Sequence, residues 1–172
     1  MLSFVTIALC ATLNVARAAP LSAAAALEAP DRHVRTLDRR VHWLIAQGVS
    51  HSRTFASLVT EITSSDVIVY VQEARDLPTG LSGRLFLLPT SNDQRYLRIQ
   101  VRLDGLSPRD AIALMAHELQ HAVEVARAPD VRDAATMARL YERIGDRGLG
   151  AHWYETQAAR RAGRQVRSEL SG

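Results

Sequence analysis

Residues 107–129 read SPRDAIALMAHELQHAVEVARAP, and the interpretation of the whole chain depends on this stretch. Ser107 is a suitable helix N-cap, Pro108 fits the first turn of a helix, and Asp110 can return the capping-box hydrogen bond. These signals predict a helix from Pro108 to about Ala128, which ends there because the next residue is a proline.

Two histidines inside this predicted helix, His117 and His121, are four residues apart. That spacing puts both side chains on one face, one turn apart, with Cβ atoms about 5–6 Å from each other. Two imidazoles placed in this way can bind one tetrahedral zinc ion through bonds of about 2.0–2.1 Å. Glu118 is angled so that its carboxylate can take a proton from a zinc-activated water and pass it to a leaving nitrogen.

The flanks of this motif agree with a metal site inside a packed helix. The neighbouring residues are apolar, and Glu118 is the only charged residue between or directly beside the histidines. Two histidines that face a core need polar partners. The alternative is that the histidines are ordinary packed or surface residues beside a chance glutamate, and the motif alone leaves that alternative open.

Through His117-Glu118-Leu119-Gln120-His121 and its uncharged flanks, the chain resembles the zincin metallopeptidases. The metzincin branch continues with Gly and His at positions where this chain has Glu124 and Arg127, so that branch is excluded. The gluzincin-like branch takes a third zinc ligand from a glutamate on a later helix. The resemblance therefore implies a small sheet, an active-site helix and a glutamate helix.

Glu155 is the candidate for the third ligand. We expect it in the first turn of a helix, on one stripe with small residues such as Ala159 and Ala162, where the helix dipole favours a negative charge. A carboxylate on an apolar face is costly unless it is paired or bound to metal, and the alanines would let the two helices approach closely. The alternative is a glutamate stabilised by the helix dipole alone.

Two other glutamates fit the third-ligand role less well. Glu124 is two turns from His117, about 10 Å along the axis, and is better placed to orient a ligand than to bind the ion. Glu142 lies off the apolar stripe of its helix and is interpreted as solvated.

Two further site features follow from the resemblance. Many gluzincins carry an acid one turn after the third ligand, where this chain has Ala159, so the group that orients a zinc histidine must come from elsewhere. A donor for the oxyanion is also needed, and His152 and Tyr154 are candidates because they lie just before Glu155.

The rest of the chain predicts short helices and a small sheet. Helical spacing is found over 34–46, in a short segment around 55–62, over 131–144 and from about Ala151 onward. Segments 67–71, 85–88 and 96–103 are typical of strands, and the last alternates cleanly between apolar and polar residues. We therefore expect an α+β, zincin-like fold with a three-stranded, mostly antiparallel sheet.

The N-terminus predicts export. Residues 1–18 have an apolar run and an Ala-x-Ala end, which is the layout of a signal peptide. Cleavage there removes Cys10, the only cysteine, and leaves no membrane span. Residues 19–32 are rich in Ala and Pro and are interpreted as a tether or a weak helix, which leaves 33–172 as the metallopeptidase domain. A periplasmic or secreted location follows.

The charges predict no nucleic-acid partner. The net charge is +3, the chain has no lysine, and its arginines are interleaved with acids rather than grouped in one block. The sequence as a whole predicts an exported zinc metallopeptidase that acts on a peptide or related amide. The alternative function is a zinc-binding or interaction protein that keeps the fold without catalysis.

Overall fold

The computed structural model describes residues 33–89, 93–147 and 154–172. The helices in these ranges are α1 (Arg39–His51), α2 (Arg53–Thr63), α3 (Pro108–Ala126), α4 (Ala134–Ile144) and α5 (Gln157–Glu169). The strands are β1 (Val34–Arg35), β2 (Val67–Glu73), β3 (Gly83–Leu87), β4 (Arg95–Val101), β5 (Asp146–Arg147) and β6 (Tyr154–Glu155). The predicted signal peptide and tether, residues 1–32, lie outside the described residues.

The main sheet has four strands in the order β1-β2-β4-β3. β1, β2 and β4 run parallel, and only β3 runs antiparallel to its neighbour β4. The α+β class is as expected, but the prediction of a three-stranded, mostly antiparallel sheet was wrong. The chain leaves β2, forms β3 on the far side of β4, and returns so that β4 lies parallel to β2; local patterns reveal strands but not this order.

The core lies between this sheet and the helices. Along β4 the buried residues Leu97, Ile99 and Val101 alternate with more exposed ones, as the sequence predicts. α1, α2 and α3 contribute apolar faces to the same core, and α5 packs along α3. Among the described residues, no helix combines the length and the apolarity that a membrane span requires.

The N-terminus of α3 is set by the predicted cap and proline, whereas the carboxylate of Asp110 accepts from the Ser107 hydroxyl at 2.7 Å instead of returning the predicted capping-box bond to the backbone. The hydroxyl of Ser107 accepts a hydrogen bond from the backbone N–H of Asp110 at 3.2 Å, and Pro108 is the first helical residue. The helix ends at Ala126, within two residues of the predicted end.

A buried arginine satisfies the C-terminal end of α3. The fully buried Arg95 donates hydrogen bonds of 2.7 Å to the carbonyl oxygens of Val125 and Ala128, and it pairs with the carboxylate of Asp66. The last carbonyls of a helix have no partner within the helix, so Arg95 removes a penalty that burial would otherwise impose.

The start of the last helix differs from the prediction. α5 begins at Gln157 rather than near Ala151, because Thr156 has extended backbone and its hydroxyl caps the helix by accepting from Ala159 N–H at 3.0 Å. Glu155 therefore lies in β6, just before the cap, and not in the first turn. The close approach of α5 to α3 is present: a Cβ built at Gly163 would lie 3.5 Å from Cβ of His117.

Candidate metal centre

The two motif histidines lie in the middle of α3 and line one cleft. Their ring centroids are 5.0 Å apart, so both imidazoles lie on one face of the helix, as the spacing of four residues predicts. The cleft has a volume of about 900 Å³ and is bounded by α3, α5 and the segment that contains β3. Glu118 and Glu155 line the same cleft, so the residues that the motif and the third-ligand argument singled out do come together.

Glu155 is brought to the histidines by the junction of β6 and α5. Its Oε1 lies 3.3 Å from Nε2 of His117 and 3.8 Å from Nε2 of His121. Ligand atoms around a tetrahedral zinc ion with bonds of about 2.0–2.1 Å are separated by about 3.4 Å. One ligand atom from each of the three residues lies within 4.8 Å of the other two. His117, His121 and Glu155 could therefore hold a metal ion.

Glu124 fixes the orientation of His121. Its Oε2 lies 2.9 Å from Nδ1 of His121, and both side chains are buried. A carboxylate oxygen accepts from a protonated Nδ1, so the neutral form of His121 leaves Nε2 to bind a metal. Glu124 thus contacts a candidate ligand rather than the ion position, as its distance from His117 along the helix predicted. It supplies an orienting carboxylate that Ala159 cannot provide.

Tyr141 adds a second contact at the same histidine. Its hydroxyl donates to the backbone oxygen of His121 at 3.2 Å, and its ring packs edge-on against the imidazole at 5.5 Å between centroids. Sequence reasoning gave Tyr141 no role at the site. A tyrosine on the apolar face of a helix resembles ordinary packing until the fold shows what it faces.

Glu118 is almost fully buried, and its carboxyl group lies against the backbone of Gly83 at the start of β3. A Cβ built at Gly83 would be only 2.7 Å from Cδ of Glu118. Burial raises the pKa of Glu118 to about 7, the charge of His121 opposes this rise, and the carboxylate of Glu155 adds to it. A carboxyl group of this kind is suited to accept and release a proton near neutral pH.

The pKa values of the two histidines are shifted in opposite directions. Burial lowers the pKa of His117, and the positive charge of His121 lowers it further. Burial also acts to lower the pKa of His121, but the hydrogen bond to Glu124 and the nearby carboxylates outweigh it and raise the pKa. The neutral form that His117 favours is the form that binds metals.

The two candidates for an oxyanion donor are not placed by the structure. His152 and the side chain of Tyr154 lie outside the described residues. The backbone of Tyr154 belongs to β6, where it pairs with Arg147. Both remain predictions.

Comparison with known proteins supplies no relative: no family model matches the chain, and no match is found among the curated proteins or the solved structures. What this site does has to be inferred from its own residues.

Proposed function

We propose that the protein is a zinc-dependent hydrolase of the gluzincin-like kind that cleaves a peptide or related amide bond. The observation that carries the proposal is the convergence of His117, His121 and Glu155 on one point of a cleft, with Glu118 beside them. Buried acids and imidazoles that converge on an open cleft are typical of catalytic rather than structural sites.

The donor set favours zinc. Two imidazole nitrogens and one carboxylate oxygen, without a thiolate, are the ligands of catalytic zinc sites that keep one open position. When bound, zinc supplies a Lewis acid that polarises a carbonyl group and acidifies water. The engaged Nδ1 of His121 supports the same assignment, because zinc histidines commonly donate their other ring nitrogen to a carboxylate.

Glu118 is assigned the role of general base. It adjoins the ligand His117, lines the cleft, and is held against Gly83, where any side chain on residue 83 would displace it. In this role it takes the proton of the attacking water and delivers it to the leaving nitrogen. Because Gly83 has no side chain, the carboxylate of Glu118 can occupy the space beside it.

An extended peptide is the substrate that suits the cleft best. β3 forms one edge of the described sheet and lines the cleft. The hydrogen bonds between Ser82 and Arg102 and between Leu88 and Tyr96 flank the β3–β4 ladder. Because bonding alternates along an antiparallel pair, the backbone groups of Gly83, Leu85 and Leu87 point away from β4. They are available to an added strand, which is a common way to hold a peptide.

The test compares the parent protein with Glu118→Gln, both loaded with zinc, on a library of quenched peptides. We expect the parent to cleave peptides and the variant to bind zinc equally but to cleave about 10²–10⁴-fold more slowly, because a general base contributes a factor of that size. Full activity of Glu118→Gln would contradict the mechanism. Stoichiometric zinc without cleavage by the parent would instead favour the non-catalytic zinc-binding protein.

A further inference from the structure

Thr156 contacts Glu155, a candidate metal ligand, and also Glu124, the carboxylate that is hydrogen-bonded to the candidate ligand His121. Its hydroxyl donates to Oε1 of Glu124 at 2.6 Å, and its backbone N–H donates to Oε1 of Glu155 at 2.9 Å. The same hydroxyl oxygen accepts from Ala159 N–H, as the cap of α5. Thr156 is 2% exposed, so water does not compete for these bonds.

The contacts form a continuous path from the start of α5 to a metal-binding nitrogen. The hydroxyl holds one oxygen of Glu124, and the other oxygen of Glu124 holds Nδ1 of His121. A carboxylate that is itself hydrogen-bonded keeps a ligand histidine in one orientation and one tautomer. The cap bond from Ala159 engages the oxygen of Thr156 as acceptor, so the hydroxyl proton is free to be directed at Glu124.

We propose that Thr156 is a positioning residue of the metal site, which orients Glu155 through its backbone and His121 through Glu124. This inference rests on the metal site proposed above but not on peptide cleavage. One junction between β6 and α5 then supplies both a ligand and the group that orients a ligand on another helix. Docking of α5 on α3 and completion of the site become a single event.

The test is the affinity of the full chain for Zn²⁺, measured by competition with a chromophoric chelator, and the visible spectrum of the Co²⁺ form. We expect Thr156→Ala to bind Zn²⁺ about 10–100-fold more weakly, which is the usual effect of losing a group that orients a ligand. Thr156→Ser keeps the hydroxyl and is expected to bind within about threefold of the parent and to retain its Co²⁺ spectrum.

Two further variants separate positioning from helix stability. Thr156→Gly lacks the hydroxyl but is tolerated at an N-cap, so it preserves the start of α5 if the alanine variant does not fold. It should lose zinc affinity as the alanine variant does. The matched control is Asp38→Ala, which removes the side-chain cap of α1, remote from the metal cluster, and should lower stability without changing zinc affinity.

A double-mutant cycle with Glu124→Gln tests the path itself. If the hydroxyl acts through Glu124, removing it in the Glu124→Gln background should cost much less zinc affinity than in the parent. Equal zinc affinity of the parent, Thr156→Ala and Thr156→Gly would overturn the positioning role while leaving the metal site in place. A parent that binds neither Zn²⁺ nor Co²⁺ would overturn the metal site and this inference together.

Discussion

Two groups of ionisable residues lie at the helix α3, and they differ in how their bonds are used. At the C-terminal end, Arg95 directs its guanidinium nitrogens to Asp66 and to carbonyl oxygens at the end of α3. In the middle of α3, the Nε2 atoms of His117 and His121 converge on Glu155 at the edge of an open cleft.

The difference separates a cluster whose bonding is complete within the protein from one that could hold a metal ion. The bonds of Arg95 are complete within the protein, so this cluster holds the fold together and has no capacity left for a ligand. The histidine and glutamate cluster directs nitrogen and oxygen donors at one point that a small cation would fill. A buried charge is therefore informative about function only when its remaining bonding capacity is directed at a space that a ligand can reach.

The largest expected effect concerns the Arg95 cluster. Arg95→Met should lower the free energy of unfolding by about 3–5 kcal/mol, because it removes the buried guanidinium that bonds the carbonyl oxygens at the end of α3 and leaves Asp66 with the longer pair to Arg132 at 3.4 Å. Urea unfolding followed by circular dichroism measures this. The exposed pair of Arg127 and Glu61 provides the control, since Arg127→Met should cost about 1 kcal/mol or less. Equal losses in the two variants would contradict the structural role of Arg95.

The next effect concerns the candidate metal site of His117, His121 and Glu155. Zinc at about a thousand times its Kd should raise the free energy of unfolding of the parent by about 4 kcal/mol, since only the folded state assembles the site. A chelator should remove this gain. His121→Ala should show little response to either addition. If the unfolding curve of the parent were the same with zinc and with chelator, the cluster would have a purely structural role, as Arg95 does.

A smaller effect is expected at the contact between Gly83 of β3 and Glu118 of α3. Gly83→Ala should slow peptide cleavage and lower the free energy of unfolding by about 1–3 kcal/mol, because the added methyl group displaces the carboxylate of Glu118. Kinetics and urea unfolding test the two parts separately, with Ser82→Ala on the same segment as the control. Unchanged kcat in Gly83→Ala would show that the place of Glu118 does not depend on this glycine.

The smallest effect concerns a third charged group, Glu169, which ties α5 to α2. Partial burial acts to raise the pKa of Glu169, but hydrogen bonds from Ser52 and Thr54 outweigh it and lower the pKa to about 2. A lowered folded-state pKa contributes stability above the unfolded value of 4.5, and that stability is lost as the pH falls from there toward 2.

Glu169→Gln should therefore lower the free energy of unfolding at pH 7 by about 1–2 kcal/mol, because hydrogen bonds to a charged group are weakened where the group is partly in solvent. It should also flatten the fall in stability between pH 4.5 and the folded-state pKa. Unfolding curves at several pH values measure both. An equally steep fall in parent and variant would assign the acid sensitivity to other carboxylates.

Local signals in the sequence predicted the elements that depend on short-range chemistry. The cap at Ser107, the two histidines one turn apart and the alternation along β4 all follow from spacing. The order of the strands does not follow from spacing, because it depends on which strands become neighbours after the chain has crossed the sheet. The helix predicted over 34–46 was wrong at its start: residues 34–35 form β1 and α1 runs over Arg39–His51, because a two-residue strand carries no periodicity and Asp38 caps the helix.

The candidate site divides in the same way: residues joined by short-range spacing were predicted, and contacts between distant segments were not. The spacing of His117 and His121 predicted that they lie together, and the structure brings Glu155 within 3.8 Å of both, although from β6 rather than from the first turn of a helix. Thr156 carries a sequence signal as a helix cap, but its contact with Glu124 joins residues 32 positions apart and becomes visible only when α5 lies on α3. The contact between Gly83 and Glu118 also becomes visible only in the folded protein.

The most direct test of the central claim is the zinc content of the purified protein and of its Glu155→Ala and His121→Ala variants. The geometry predicts one zinc ion per chain in the parent and loss of zinc in both variants, with the fold retained by circular dichroism. A parent that takes up no zinc when it is supplied, or a Glu155→Ala variant that binds it as tightly as the parent, would contradict the three-ligand site.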